Sequence, residues 1–213
     1  MEKSIHIAVY CASSNAVDPL YFEAARELGT LMAQRGSTLV YGGGRVGLMG
    51  AVSQAVFQNG GQVVGVIPHF LERLEIGHHD IGELIYTDGM RERKAIMEER
   101  ADAFITLPGG FGTLEEIFEI LTGRQLGVHH KPIVLLNTNG YYDPLLDMLQ
   151  SAVDQYFVKP GHFALLHVAA TPQQALDYIY NFSPQAPEEK FTEEELRKSI
   201  PEQAKTGEVA GGE

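Results

Sequence analysis

A three-layer α/β/α fold around a mainly parallel central sheet is what this sequence predicts, on three observations. Apolar runs of strand length alternate with runs of helical pattern along most of the chain, and strand-then-helix repetition marks parallel βαβ units. The stretches VVGVI, FITL and IVLL are continuously apolar, as strands covered by helices on both faces must be. Glycine-rich or polar segments follow several of these strands, at the carboxyl edge where open parallel sheets bind ligands. Together they make the expected fold Rossmann-like.

The elements follow in order. SIHIAVYC (residues 4–11) is the first strand; MEKSIHIAVYC shows no basic-then-apolar leader and reads as a strand rather than a signal peptide. A helix over about residues 18–35 leads to the strand STLVY (37–41), and a second helix over about 47–59 leads to QVVGVIP (62–68). The stretch holding His78 and His79 is expected as loop, before the strand ELIYT (83–87) and a helix over about 89–100. AFITLP (103–108), a helix over about 113–126, PIVLLN (132–137) and a helix over about 142–156 continue the beat. A late apolar run, FALLHVAA (163–170), and a helix from Thr171 to about Asn181 close a domain spanning residues 1–182. From Ser183 the composition shifts: residues 183–213 carry 8 acidic and 4 basic side chains and few large apolar ones. Such a tail cannot offset its ordering entropy by burial, beyond one short helix that Thr192 and Glu195 could cap before Pro201.

Composition excludes several functions. With 213 residues, 44% hydrophobic, the chain can bury a sizeable core. A formal charge of −12 argues against a nucleic-acid footprint, which needs clustered Lys and Arg. No run of 18 apolar residues suggests a membrane span. Cys11 is the single cysteine and cannot form an internal disulfide, so a reducing cytoplasm is the expected compartment.

Three segments converge on the expected ligand edge: CASSN (11–15), YGGGRVGLMG (41–50) and LPGGFGTLEE (107–116). In the last, Gly109, Gly110 and Gly112 are expected to take positive φ and bring bare backbone to a ligand, while the next helix points its first N–H groups at it. Gly43 and Gly44 of the middle loop are candidate anion contacts too. Gly42, Gly44 and Gly47 formally satisfy GxGxxG, but the acidic residue that a dinucleotide site wants about 20 positions on is missing. Ser13 and Ser14 could donate to a phosphate or cap the first helix. Neither glycine loop is a Walker motif, which disfavours ATP hydrolysis with magnesium.

TDGMRERKAIMEERADAF places Arg91, Arg93, Lys94 and Arg100 on one helix, with Asp88 as its expected N-cap. Some of these charges belong to a solvated face. Arg93 and Lys94 lie near the helix start, where the dipole disfavours cations and a bound anion compensates. Glu116, one turn beyond the glycines, has two readings. It is a carboxylate for chemistry on a phosphorylated molecule, or, with Thr113, half of a capping box. The paired histidines have no metal-ligand spacing, and no Ser-His-Asp or Cys-His signature appears.

Taken together, YGGGRVGLMG, MRERKAIMEERADAFITLPGGFGTLEE and LTGRQLGVHHKPIVLLN resemble the Lonely Guy family of cytokinin riboside 5′-monophosphate phosphoribohydrolases, in order along roughly residues 5–180. The resemblance implies that Arg93 and Glu116 are the catalytic pair. It puts Lys94, the segment 110–116 and Thr122 on substrate-contacting positions, and Glu75 on another through a weaker match. This chain has MRERK where the family commonly shows MHxRK, and CASSNA where it shows CGSSxG.

The implied reaction is hydrolysis of the N-glycosidic bond of an adenosine 5′-monophosphate, with or without an N6 substituent. It releases free base and ribose 5-phosphate with no metal or organic cofactor, in a dimer whose neighbouring subunit completes the pocket. The alternative is a non-catalytic carrier of a nucleotide or phosphorylated cofactor.

Overall fold

Seven parallel strands form one sheet in the order β4-β3-β2-β1-β5-β6-β7 in the computed structural model, which describes residues 4–75 and 77–184. The strands are β1 (His6–Tyr10), β2 (Thr38–Tyr41), β3 (Gln62–Pro68), β4 (Glu83–Thr87), β5 (Ala103–Thr106), β6 (Ile133–Leu136) and β7 (Leu166–Ala169). The sheet is wholly parallel where a mainly parallel one was expected; among the described residues the antiparallel exception is one isolated bridge, Gly44 to Gly77.

The helices are α1 (Pro19–Gln34), α2 (Gly47–Gln58), α3 (His69–Glu75), α4 (Met90–Arg100), α5 (Phe111–Gln125), α6 (Asp143–Asp154), α7 (Pro160–Phe163) and α8 (Pro172–Tyr180). Successive strand residues point to opposite faces, so each strand feeds two cores. Ile7, Val9, Leu39 and Tyr41 pack with Leu28 and Met32 of α1, Val52 and Val56 of α2, and Leu176 of α8. Ala8, Tyr10, Val40 and Phe104 pack with Met97 of α4 and with Ile117 and Ile120 of α5. Both faces are dry, which is why the strands read as unbroken apolar runs.

This layering positions the site. β1 lies between β2 and β5, and the helices that follow β1 and β5 cover opposite faces. The two connections part over the carboxyl end of β1 and leave a crevice, the topological switch point of an open sheet.

Two expectations about elements fail. The stretch after β3 begins with the seven-residue helix α3 instead of loop. The late run divides: Phe163 ends α7, and Leu166–Ala169 forms β7. The tail from residue 185 on, with the Thr192–Glu195 cap, lies outside the described residues.

Candidate functional site

A cleft of about 330 Å³ opens at that switch point, floored by Val9 and Tyr10 and walled by the loops after β1, β2 and β5 and by α4. This is within the range of small-molecule sites.

The α5 wall is an anion socket. Gly110 is the N-cap in extended backbone, and the Leu114 N–H donates to its carbonyl at 3.0 Å. The N–H groups of Phe111, Gly112 and Thr113 have no hydrogen-bond partner among the described residues. They carry the positive end of the helix dipole. The glycines serve this socket through space, not through positive φ: Gly109, Gly110 and Gly112 are absent from the positive-φ residues. A Cβ on Gly109 would stand 2.1 Å from Thr113 Oγ1, whereas at Gly110 and Gly112 it would meet nothing within 4 Å, on the cleft side.

The same helix start removes the capping-box reading. Because Gly110 takes the N-cap, Thr113 is the third helical residue, and Glu116 lies three further on, too far to cap. Glu116 is instead buried in the cleft wall with Thr113. Glu115, about 100° round the helix, is half exposed and pairs with Lys94.

Arg93 is 5% exposed and tightly held. Its Nε donates to the Val66 carbonyl at 3.1 Å and its Nη2 to the Gly42 carbonyl at 3.2 Å. Its Nη1 lies 4.0 Å from Glu116 Oε1. Two carbonyls, one just after β2 and one within β3, thus fix the guanidinium and turn its remaining edge towards the carboxylate. Lys94, next in sequence, leaves the cleft: its Nζ bonds Glu115, and Glu119 at 2.8 Å, tying α4 to α5. These carboxylates raise its pKa. Asp88 does not cap α4. Gly89 holds that position, and Glu92 reaches back to accept from the Asp88 N–H at 2.8 Å.

The remaining candidates separate. Ser13 and Ser14 line the cleft opposite α5, and Ser14 Oγ accepts from the Ala16 N–H at 3.1 Å. In the middle loop Gly42 reaches the cleft, while Gly43 and Gly44 turn away from it. Gly43 has φ +77° and a Cβ there would come within 2.9 Å of Ile67, and Gly44 makes the bridge to Gly77. Thr122 is exposed outside the cleft. Glu75 ends α3, and its side chain lies outside the described residues.

The GxGxxG loop does not present a second socket. Its helix, α2, has its first N–H groups taken by the loop after β1: Gly47 donates to Asn15 Oδ1 at 2.8 Å and Leu48 to the Ala12 carbonyl at 2.9 Å.

Sequence reasoning missed Tyr10, the apolar wall of Met49, Leu71, Met90 and Met97, and a tyrosine pair after β6. Burial, then Glu116, pushes the Tyr10 phenol well above its usual range, so it stays a protonated hydroxyl. Tyr141 donates to the Gly109 carbonyl at 2.8 Å and Tyr142 to the Leu107 carbonyl at 2.7 Å, from outside the cleft. The signal available was position, since Tyr10 ends β1 and the tyrosine pair lies in the connection after β6. No group of three or more His, Cys, Asp or Glu among the described residues could hold a metal ion, and no helix there is long and apolar enough to cross a membrane.

Comparison with known proteins bears on the family and the fold. Residues 49–179 match a family model described as possible lysine decarboxylase. The chain is 46% identical over 179 residues to the probable cytokinin riboside 5′-monophosphate phosphoribohydrolase LOGL2 of Oryza sativa subsp. japonica, covering 84% of this chain and 73% of that one. It is also 46% identical over 179 residues to the cytokinin riboside 5′-monophosphate phosphoribohydrolase LOG7 of Arabidopsis thaliana, covering 84% and 82%. Among solved structures, the molybdenum cofactor binding protein of Rippkaea orientalis superposes with a TM-score of 0.63 at 24% identity, over 84% of this chain and 98% of that one. The molybdenum cofactor carrier protein of Chlamydomonas reinhardtii gives 0.64 at 24%, over 84% and 97%. At that identity the two structures share the fold alone.

Proposed function

Because the chain belongs to the Lonely Guy family of cytokinin riboside 5′-monophosphate phosphoribohydrolases, we propose that it hydrolyses the N-glycosidic bond of adenosine 5′-monophosphates, N6-substituted or not. The observation that carries this reading is the open N-terminus of α5 with Glu116 buried in the same cleft wall. In this reading the 5′-phosphate binds the N–H groups of residues 111–113, with Ser13 and Ser14 as further donors. That remote binding holds the ribose against Glu116.

The C1′–N9 bond breaks as positive charge grows on the ribose, and the Glu116 carboxylate stabilises it. Water adds to C1′ and passes its proton to Glu116, while the base leaves with the bonding pair and takes a proton from solvent, to which Glu116 then returns its own. Arg93, pinned by two carbonyls, positions Glu116. Lys94 supports the helix pair from outside.

A cytoplasmic homodimer belongs to the same proposal. Phe111, in the cleft lining, is 95% exposed, and Phe70 and Leu74 are exposed on α3, either side of Leu71 of the cleft in sequence. Apolar surface of this kind suits a second copy completing the pocket.

The test is incubation with AMP and with isopentenyladenosine monophosphate, followed by assay of free base. Base release is expected from at least one, falling by a factor of about 100 or more in Glu116→Ala with nucleotide binding kept. Tight binding without release from either favours the carrier reading instead.

A further inference from the structure

The turn before α5 has a weakness built into it. Gly110 lines the cleft with open space where a Cβ would stand, so a side chain there would fill volume that a ligand needs. Yet the peptide joining Gly109 to Gly110 lies between two glycines. It can rotate by half a turn at little steric cost, because Gly110 can pass from φ −95° to the left-handed region. In a trans peptide the carbonyl of one residue and the N–H of the next point in opposite directions, and the described residues contain no cis bond. A flip would therefore swap a donor for an acceptor at the rim of the socket.

One side chain opposes this. Tyr141 donates to the Gly109 carbonyl at 2.8 Å. Tyr141 is not part of the cleft lining, so a carbonyl committed to it is turned away from the ligand and the Gly110 N–H is turned the other way. The ring is itself held edge-on by Tyr21 of α1, at 5.8 Å, and by Tyr142, at 4.8 Å. The two carbonyls before it are also tied, Leu107 to Tyr142 and Pro108 to the Ala12 N–H. Of the three, the Gly109 carbonyl alone belongs to a peptide between two glycines.

We propose that Tyr141 is a positioning residue, a latch that keeps the Gly109–Gly110 peptide with its N–H, and not its carbonyl, towards a phosphate. The inference rests on the reading that this loop binds the 5′-phosphate. Tyr141→Phe removes one oxygen and keeps the ring. Wild type and variant are titrated calorimetrically with AMP, ribose 5-phosphate and adenosine. The Kd for both phosphate compounds is expected to weaken about tenfold, the loss of one hydrogen bond made only in the latched state, while that for adenosine stays unchanged. Unchanged affinity for AMP and ribose 5-phosphate overturns the latch. So does an equal loss for adenosine, which marks general loosening. Because binding is the readout, a wild type that binds AMP and releases no base refutes the proposed hydrolysis while the latch is still decided by the titration.

Discussion

Replacing Gly109 and Gly110 by alanine, one at a time, should damage the protein in opposite ways. At Gly109 the new methyl would lie 2.1 Å from Thr113 Oγ1 and 2.5 Å from Thr113 Cβ. Thr113 is 4% exposed and cannot swing clear. Overpacking of this kind costs about 1–3 kcal/mol, and in a chain of this length Tm should fall on the order of 5 °C. At Gly110 the φ of −95° suits any residue and nothing lies within 4 Å. Alanine is a poorer N-cap but restricts the unfolded chain, and because these effects oppose each other Tm should move by less than about 2 °C. Its methyl would enter the cleft beside three N–H groups that have no partner among the described residues. Losing one or two charge-assisted hydrogen bonds there costs about 10- to 100-fold in phosphate binding or more. Scanning calorimetry and a base-release assay on both variants decide the matter. An equal fall in Tm for the two, or full turnover in Gly110→Ala, refutes the space argument.

Two further outcomes follow from the geometry. Arg93→Lys cannot reproduce three contacts at once, on the Val66 and Gly42 carbonyls and beside Glu116. Turnover should drop by a factor of about 100 from misplacement of the carboxylate, and a variant within threefold of wild type in the base-release assay would contradict the positioning role. His78, His129 and His167 are all lowered from 6.5, with burial as the first cause. The unfolded chain then takes up protons that the folded one refuses, so this contribution is full above about pH 6.5 and is lost as pH falls through the folded values. Tm measured from pH 7.5 down to 5.5 should decline, and a flat or rising Tm speaks against it.

Most of the fold was legible because each inner strand is dry on both faces. VVGVI and IVLL could hardly be anything but central parallel strands, and the glycine loops marked their carboxyl ends. What stayed hidden lacked a side-chain signal. Gly110 caps α5 with backbone alone, so Thr113 and Glu116, which have the right letters for a capping box, drew the helix start two residues too late. Asp88 misled for the same reason beside Gly89. HFLERLE is too short for periodicity to separate it from loop. Gly43 and Gly44 are sequence neighbours of Gly42, but a left-handed turn sets Gly43 against β3 and Gly44 against Gly77, and no spacing rule announces that. Arg93 and Glu116 were nameable from their motifs, yet the carbonyls that hold Arg93 come from Val66, in a strand read only as core, and from Gly42, in a loop read as a ligand contact.

The placing of β1 in the middle of the sheet has a consequence for the order of synthesis. β1 emerges from the ribosome first, and β2, β3 and β4 can add outward from one of its edges. The other edge waits for β5, since Tyr10 finds its neighbour only at Thr106. Throughout that interval Arg93 exists without Glu116, and an apolar strand rim stands open to any other nascent chain. Of the cleft's walls, the one carrying Thr113 and Glu116 therefore comes last in the chain, on the helix that follows β5.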